Sequence, residues 1–313
     1  MYRFEREQLR REGAGVWQTT SWTTIRRDDV LLSVPAESPR FAVSAWRACF
    51  RSPTDCLQEQ TINTNQRAHP TAHPHEENLL ERLPDLLLAN WRLFATSVAP
   101  LGGGMNSFTA LVVADHHRWV AKWVRAADSA GLRQGAQIAA RLAAKGMRSG
   151  RPLPTMHGEL MTALGGGSVV LLEHVPGREL TGEVRDQPDL AGALARAHAL
   201  LGPSEPDAGF MSWLGDDQRV GDVAAWVLPA IEVVLAEFRG LPSVTWGTLH
   251  ADPSPEAFIL DETTGEVGII DWSAACAGPL MYDVASAVMY LGGPANARTF
   301  LEHYASGGPL TDC

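Results

Sequence analysis

Between Phe94 and Arg125 the chain reads "FATSVAPLGGGMNSFTALVVADHHRWVAKWVR". Apolar and polar residues alternate in three runs, separated by a Gly-rich turn and a short polar turn at "ADHH", which is the pattern of consecutive strands. A different period follows. "SAGLRQGAQIAARLAAKG" (129–146) carries apolar positions near a 3.6 repeat, ends in glycine, and is expected to be a helix. Residues 159–175 form a second hairpin about Gly165–Gly167, and 188–202 form a helix opened by proline and closed by glycine. One long helix or two are expected over 220–240, kinked near Pro229, and residues 76–94 show helical patches broken at Pro84. Two short strands, "EAFILD" and "EVGIID", then interrupt the helical half before the helix "YDVASAVMYLGG". Strands gathered in the first half and helices in the second argue for an α+β, two-lobed arrangement, and a doubly wound parallel sheet fits poorly.

The chain has 313 residues, enough for two lobes. A net charge of −10 and the absence of a basic run argue against a nucleic-acid partner. The most apolar long window, "VAAWVLPAIEVVLA", is too short and too polar to span a bilayer. The start, "MYRFEREQLRREG", lacks an apolar core and is not a secretory signal. Cys49, Cys56, Cys276 and Cys313 form no CxxC pair, and they read as reduced thiols of a cytoplasmic protein. Residues 1–75 show no sustained period and are expected to be a poorly ordered or loosely packed extension. His69, His73 and His75 lie there among prolines, which favour a linker over a metal cage.

Two constellations carry chemistry. The first is "LGGGMNSF" followed by Lys122. Glycines between paired strands let backbone N–H groups approach a phosphate, and a lysine on the next strand can reach the α/β-phosphates. It is neither a Walker loop nor GxGxxG, and a Gly-rich hairpin taken alone is more often just a turn. Lysine is informative here because only Lys122 and Lys145 occur among 26 basic residues. The second is "LHADPSPEAFIL" with "GIIDW", which sets Asp252 and Asp271 19 residues apart. Asp252, held near His250, can take a proton from a substrate hydroxyl, and Asp271 at a strand end can ligate Mg²⁺. A hairpin with turn acids accounts for Asp261 and Glu262 but leaves these two unexplained.

Together, and in this order, these motifs resemble the aminoglycoside phosphotransferase / choline kinase branch of the protein-kinase-like fold, over roughly residues 95–306. The family's HGD-x4-N loop stands here as "HADPSPEA" and its (I/V)D(W/F) strand end as "IDW"; "GPLMYDVASAV" and "LARAHAL" resemble its flanking segments. The resemblance implies a β-rich N-lobe over 76–175 and a helical C-lobe over 176–313. It also implies ATP and Mg²⁺ as cofactors and a small-molecule hydroxyl acceptor, aminoglycoside-like or amino-alcohol-like. Asp252 would be the catalytic base beside His250, and Asp271 a metal ligand. Lys122 would hold the α/β-phosphates, with Gly102, Gly103, Gly104, Asn106 and Ser107 covering them. The backbone from Glu173 to Val175 would face adenine. His198 would sit in the core under the catalytic loop, and Asp283 would tie down the following helix.

Three departures qualify the match. The family's Asn is Ala257; Glu256 beside it would supply a metal carboxylate, or else face solvent and leave one metal. The family's Glu on the helix after Lys122 has no counterpart, the nearest positions being Gly135 and Gln137. The chain also stops early, which implies a truncated C-lobe. Two functions follow: an ATP-dependent phosphotransferase acting on a hydroxyl group, or a pseudokinase-like protein that binds nucleotide or metabolite without transfer. Neither the acceptor nor the oligomeric state is legible.

Overall fold

The computed structural model describes residues 3–5, 22–27, 30–35, 74–102, 107–207, 210, 226–241 and 243–310. Two units divide the chain. The first takes residues 1–62 and 211–242, and the second takes 63–210 and 243–313. In the first unit, strands β1 (Arg3–Glu5), β2 (Trp22–Arg27) and β3 (Val30–Pro35) form an antiparallel sheet in chain order. The stretch read from sequence as an unpatterned extension thus contains three strands. His69 and His73 lie outside the described residues, and His75 falls at the start of the helix that follows.

The second unit opens with helix α1 (Pro74–Trp91), which runs through Pro84 without a break. Leu79, Leu83, Leu87 and Trp91 recur every four residues, and all four are buried against the sheet. That stripe outweighs the roughly 3 kcal/mol that proline costs a helix interior. The sheet has five strands in the order β4-β5-β6-β8-β7: β4 (Ala95–Leu101), β5 (Ser107–Ala114), β6 (His117–Arg125), β7 (Met161–Leu164) and β8 (Gly167–Glu173). Asp115 and His116 turn β5 into β6 with φ of 50° and 64°. Such left-handed pairs match the twist of a two-residue hairpin. On β6, Lys122 lies opposite Thr109 on one side and Val170 on the other, so two neighbours fix its strand. Helix α2 (Ser129–Ala144) follows, with Leu132, Ala136 and Ile138 among its buried residues.

After β9 (Arg178–Glu179), helix α3 (Gln187–Leu201) forms the centre of the helical part and packs on helix α6 (Arg298–Gly307). Leu190, Leu194, Ala197, Phe258, Ile269, Phe300 and Tyr304 share one core. Helix α4 (Val227–Arg239) belongs to the first unit; its Pro229 falls in the first turn, where the missing N–H costs no helical bond. Strand β10 (Trp246–Leu249) pairs with β13 (Cys276–Pro279), and β11 (Phe258–Leu260) pairs with β12 (Val267–Ile269). Helix α5 (Met281–Tyr290) comes next. No helix among the described residues is long and apolar enough to cross a membrane.

Candidate active site

The segment from His250 to Ala257 leaves β10 and enters β11. Its start is held from below by Asp283, which has no solvent exposure. Asp283 Oδ2 accepts the His250 backbone N–H at 2.6 Å, and Oδ1 accepts that of Ala251 at 2.8 Å. Oδ2 also lies 3.0 Å from His198 Nε2, while His198 Nδ1 lies 2.7 Å from the Tyr304 hydroxyl. A carboxylate only accepts, so Nε2 carries a proton and donates to Asp283, while Nδ1 and the Tyr304 hydroxyl share the second bond. These contacts hold Ala251 at φ 69°, a conformation unusual for alanine. His250 is fully buried. Its Nε2 donates to the Ile270 carbonyl at 2.8 Å, its ring meets Trp272 edge-on at 4.7 Å, and its Nδ1 has no partner among the described residues. Asp252 is exposed at the end of this braced turn, and its Oδ1 accepts the Tyr290 hydroxyl.

Asp271 follows β12 in a left-handed conformation, φ 62° and ψ 56°. There its carboxylate meets Lys122 in an ion pair. Ser273 Oγ donates to the same Oδ1 at 2.7 Å and accepts from Lys122 Nζ at 3.4 Å. Burial raises the Asp271 carboxyl, but the charge and hydrogen bond of Lys122 and the Ser273 hydroxyl outweigh it, leaving it below its ordinary value. The sheet and the β12 end thus bring together two residues 149 positions apart. About 290 Å³ of open space adjoins them, walled in part by Leu132, Gly135, Val170 and Leu172.

The missing helix glutamate has a steric reason. A Cβ on Gly135 would stand 2.5 Å from the Trp272 carbonyl oxygen, and one on Gly131 would stand 2.8 Å from that of Ser273. Helix α2 therefore lies with two glycines, one turn apart, against the backbone that follows Asp271. No side chain fits at 135, and Gln137 is exposed on another face. Lys122 takes Asp271 and Ser273 as partners instead.

The other expected residues fall as follows. Ser107 opens β5 and pairs with Val124; Gly102 is exposed; Gly103, Gly104 and Asn106 lie outside the described residues. At the end of β8 the Glu173 N–H donates to the Arg151 carbonyl, and just after it the His174 N–H donates to that of Arg118. The Val175 N–H keeps no partner among the described residues. The Glu256 side chain is exposed and has no hydrogen bond among the described residues, while Ala257 is 4% exposed and packs into the helical core. No three His, Cys, Asp or Glu side chains among the described residues converge as a metal cage. Cys276 is a free thiol, pushed up to about 11 by burial and then by Asp283 and Asp207; the other three cysteines lie outside the described residues. Sequence reasoning missed Ser273, Tyr290 and the glycine pair. Only Ser273, two residues past Asp271, had a local signal.

A family model of the phosphotransferase enzyme family matches residues 97–311. The chain belongs to this family. No curated protein matches the chain. Its fold is protein-kinase-like, shared with solved structures of low identity. An amicoumacin kinase in complex with AMP-PNP and Ca²⁺ is 15% identical, with a TM-score of 0.58 over 74% of this chain and 78% of that one. A microcompartment-associated aminopropanol kinase is 19% identical, with a TM-score of 0.56 over 74% and 82%. An aminoglycoside-3'-phosphotransferase of type VIII is 18% identical, with a TM-score of 0.52 over 77% and 95%.

Proposed function

We propose that this member of the family moves the γ-phosphoryl group of ATP to a hydroxyl of a small molecule. The observation that carries the reading is the meeting of Lys122 and Asp271, on a segment that the His250 side chain ties to the turn presenting Asp252 through Ile270 and Trp272. In this reading Lys122, 7% exposed and fixed on a central strand, sets a compact positive charge for the nucleotide phosphates. The Val175 N–H is the open donor for the adenine edge. Asp252 accepts the acceptor's proton late in transfer, and positioning does most of the remaining work. His250, sealed under the turn, supports it without touching substrate.

Asp271 suits a hard cation: its side chain is 52% exposed, and Oδ2 has no partner among the described residues. Mg²⁺ there would neutralise charge on the β- and γ-phosphates. Ala257 offers no oxygen, so the residues fit one protein-held metal position better than two. An amine-bearing acceptor is the class proposed, in keeping with the acid-rich composition.

Calorimetry with Mg·ATP tests the reading, with Asp271→Ala as control. Binding in the intact chain that the variant loses, followed by ADP release, supports a phosphotransferase. Binding without any turnover would favour the nucleotide-binding, non-transferring alternative, and no binding would overturn both of these and leave the metabolite-binding one.

A further inference from the structure

Helix α5 touches the proposed catalytic turn at two points. Asp283, in its first turn, takes the backbone N–H groups of His250 and Ala251. Tyr290, its last residue, donates its hydroxyl to Asp252 Oδ1. Seven residues separate the two, two helical turns, so both project from one face. One end of the helix thus fixes the turn's backbone, and the other fixes the carboxylate the backbone carries. We infer that Tyr290 is a positioning residue for the catalytic base, an inference that rests on the phosphotransferase reading above.

The chemistry asks for such a group. Asp252 is exposed, and an unrestrained carboxylate there would sample several rotamers, few of them aimed at an acceptor hydroxyl. A phenol donating to an anionic oxygen makes a charge-assisted bond, stronger than a neutral one. It occupies Oδ1 and leaves Oδ2 without a partner among the described residues. Oδ2 is then the oxygen that takes the acceptor's proton. Tyr290 acts only through Asp252 and transfers no proton itself.

The test is a double-mutant cycle with Asp252→Asn and Tyr290→Phe in the full chain, using ATP hydrolysis, with water as acceptor, so that no acceptor need be known. Tyr290→Phe should lower kcat roughly ten- to a hundredfold, within the range a positioned base supplies, and leave the KM for Mg·ATP within about twofold. In the Asp252→Asn background the same change should have no further effect. Tyr290→His, which keeps a donor, should recover part of kcat. A raised KM at unchanged kcat, or a full multiplicative loss in the double variant, would overturn the inference. Urea unfolding of the same four proteins reads the contact without activity: coupled midpoints are expected, and additive midpoints would also overturn it. Coupled midpoints in a wild type that binds Mg·ATP but never turns it over would instead bring down the phosphotransferase reading, and the role given to Tyr290 with it.

Discussion

Gly135 shows how much one absent side chain decides. A glycine inside a helix ordinarily costs about 1 kcal/mol relative to alanine, so Gly→Ala there is normally stabilising. Here the added methyl would lie 2.5 Å from the backbone oxygen of Trp272, which cannot swing aside as a long side chain can. The clash outweighs the propensity. Gly135→Ala is expected to destabilise by about 1–3 kcal/mol in urea unfolding, and to weaken Mg·ATP binding because the displaced backbone carries Asp271. Ala257 obeys a related rule. Restoring the family's amide with Ala257→Asn places a polar group where the present methyl is buried in the core. It should cost about 1–3 kcal/mol and bring no gain in turnover. A large gain would show that the turn re-forms around the amide.

At the level of elements, the hairpin β11–β12 carries Asp271 on one end and follows Asp252 on the other. Its turn is tied by Asp261, which accepts the N–H groups of Thr263 and Thr264 and pairs with Arg148 at 2.7 Å. The Arg148 hydrogen bond, aided by those amides, holds the Asp261 carboxyl down to about 2 from an ordinary 3.8. A depressed carboxyl stabilises above the unfolded value and loses that contribution as pH falls through the folded one. The wild type should therefore melt above Asp261→Asn at neutral pH, and the gap should close between about pH 4 and 2; a gap that persists at pH 2 would remove Asp261 from this role. On helix α1, Pro84→Ala restores a helical N–H while leaving the leucine stripe untouched, and should raise the unfolding free energy by about 1–3 kcal/mol.

Strands and helices of the second unit were legible because their periods are local: the hairpins at "ADHH" and Gly165–Gly167 stand where the pattern put them. Asp252, Asp271 and Lys122 stand out as candidates by residue type and spacing, and the structure brings Lys122 and Asp271 together. Asp283 read as a tie for its own helix, whereas it anchors the turn 32 residues before it. The Tyr290–Asp252 contact spans 38 residues, and the glycine faces of α2 meet a turn more than a hundred residues away. No one-dimensional pattern encodes such pairings, since each exists only once sheet and helices have packed. The unbroken course of α1 through Pro84 shows the same thing from the other side, with packing overriding a local breaker.

Across the whole second unit, the Lys122–Asp271 pair joins the five-stranded sheet to the end of β12, and its two members are not equivalent. The Lys122 side chain is 9% exposed, whereas that of Asp271 is 52% exposed. Removing a partner costs most when it strands a buried charge. Asp271→Ala leaves the ammonium group buried with Ser273 as its one remaining side-chain partner among the described residues, and should destabilise the ligand-free protein by about 1–3 kcal/mol, discounted for the solvent that reaches the pair. Lys122→Met keeps the apolar stem and leaves a carboxylate that water can solvate, so its effect should lie within about 1 kcal/mol of zero. Yet both variants should lose most Mg·ATP affinity, since each removes a charge proposed for the nucleotide. Thermal melts with and without Mg·ADP separate the two effects. The intact protein should gain about 2.7 kcal/mol at a ligand concentration a hundred times Kd, and both variants little. Equal destabilisation by the two substitutions without ligand would mean that the lysine is solvated in solution and that the pair is not the tie between sheet and β12.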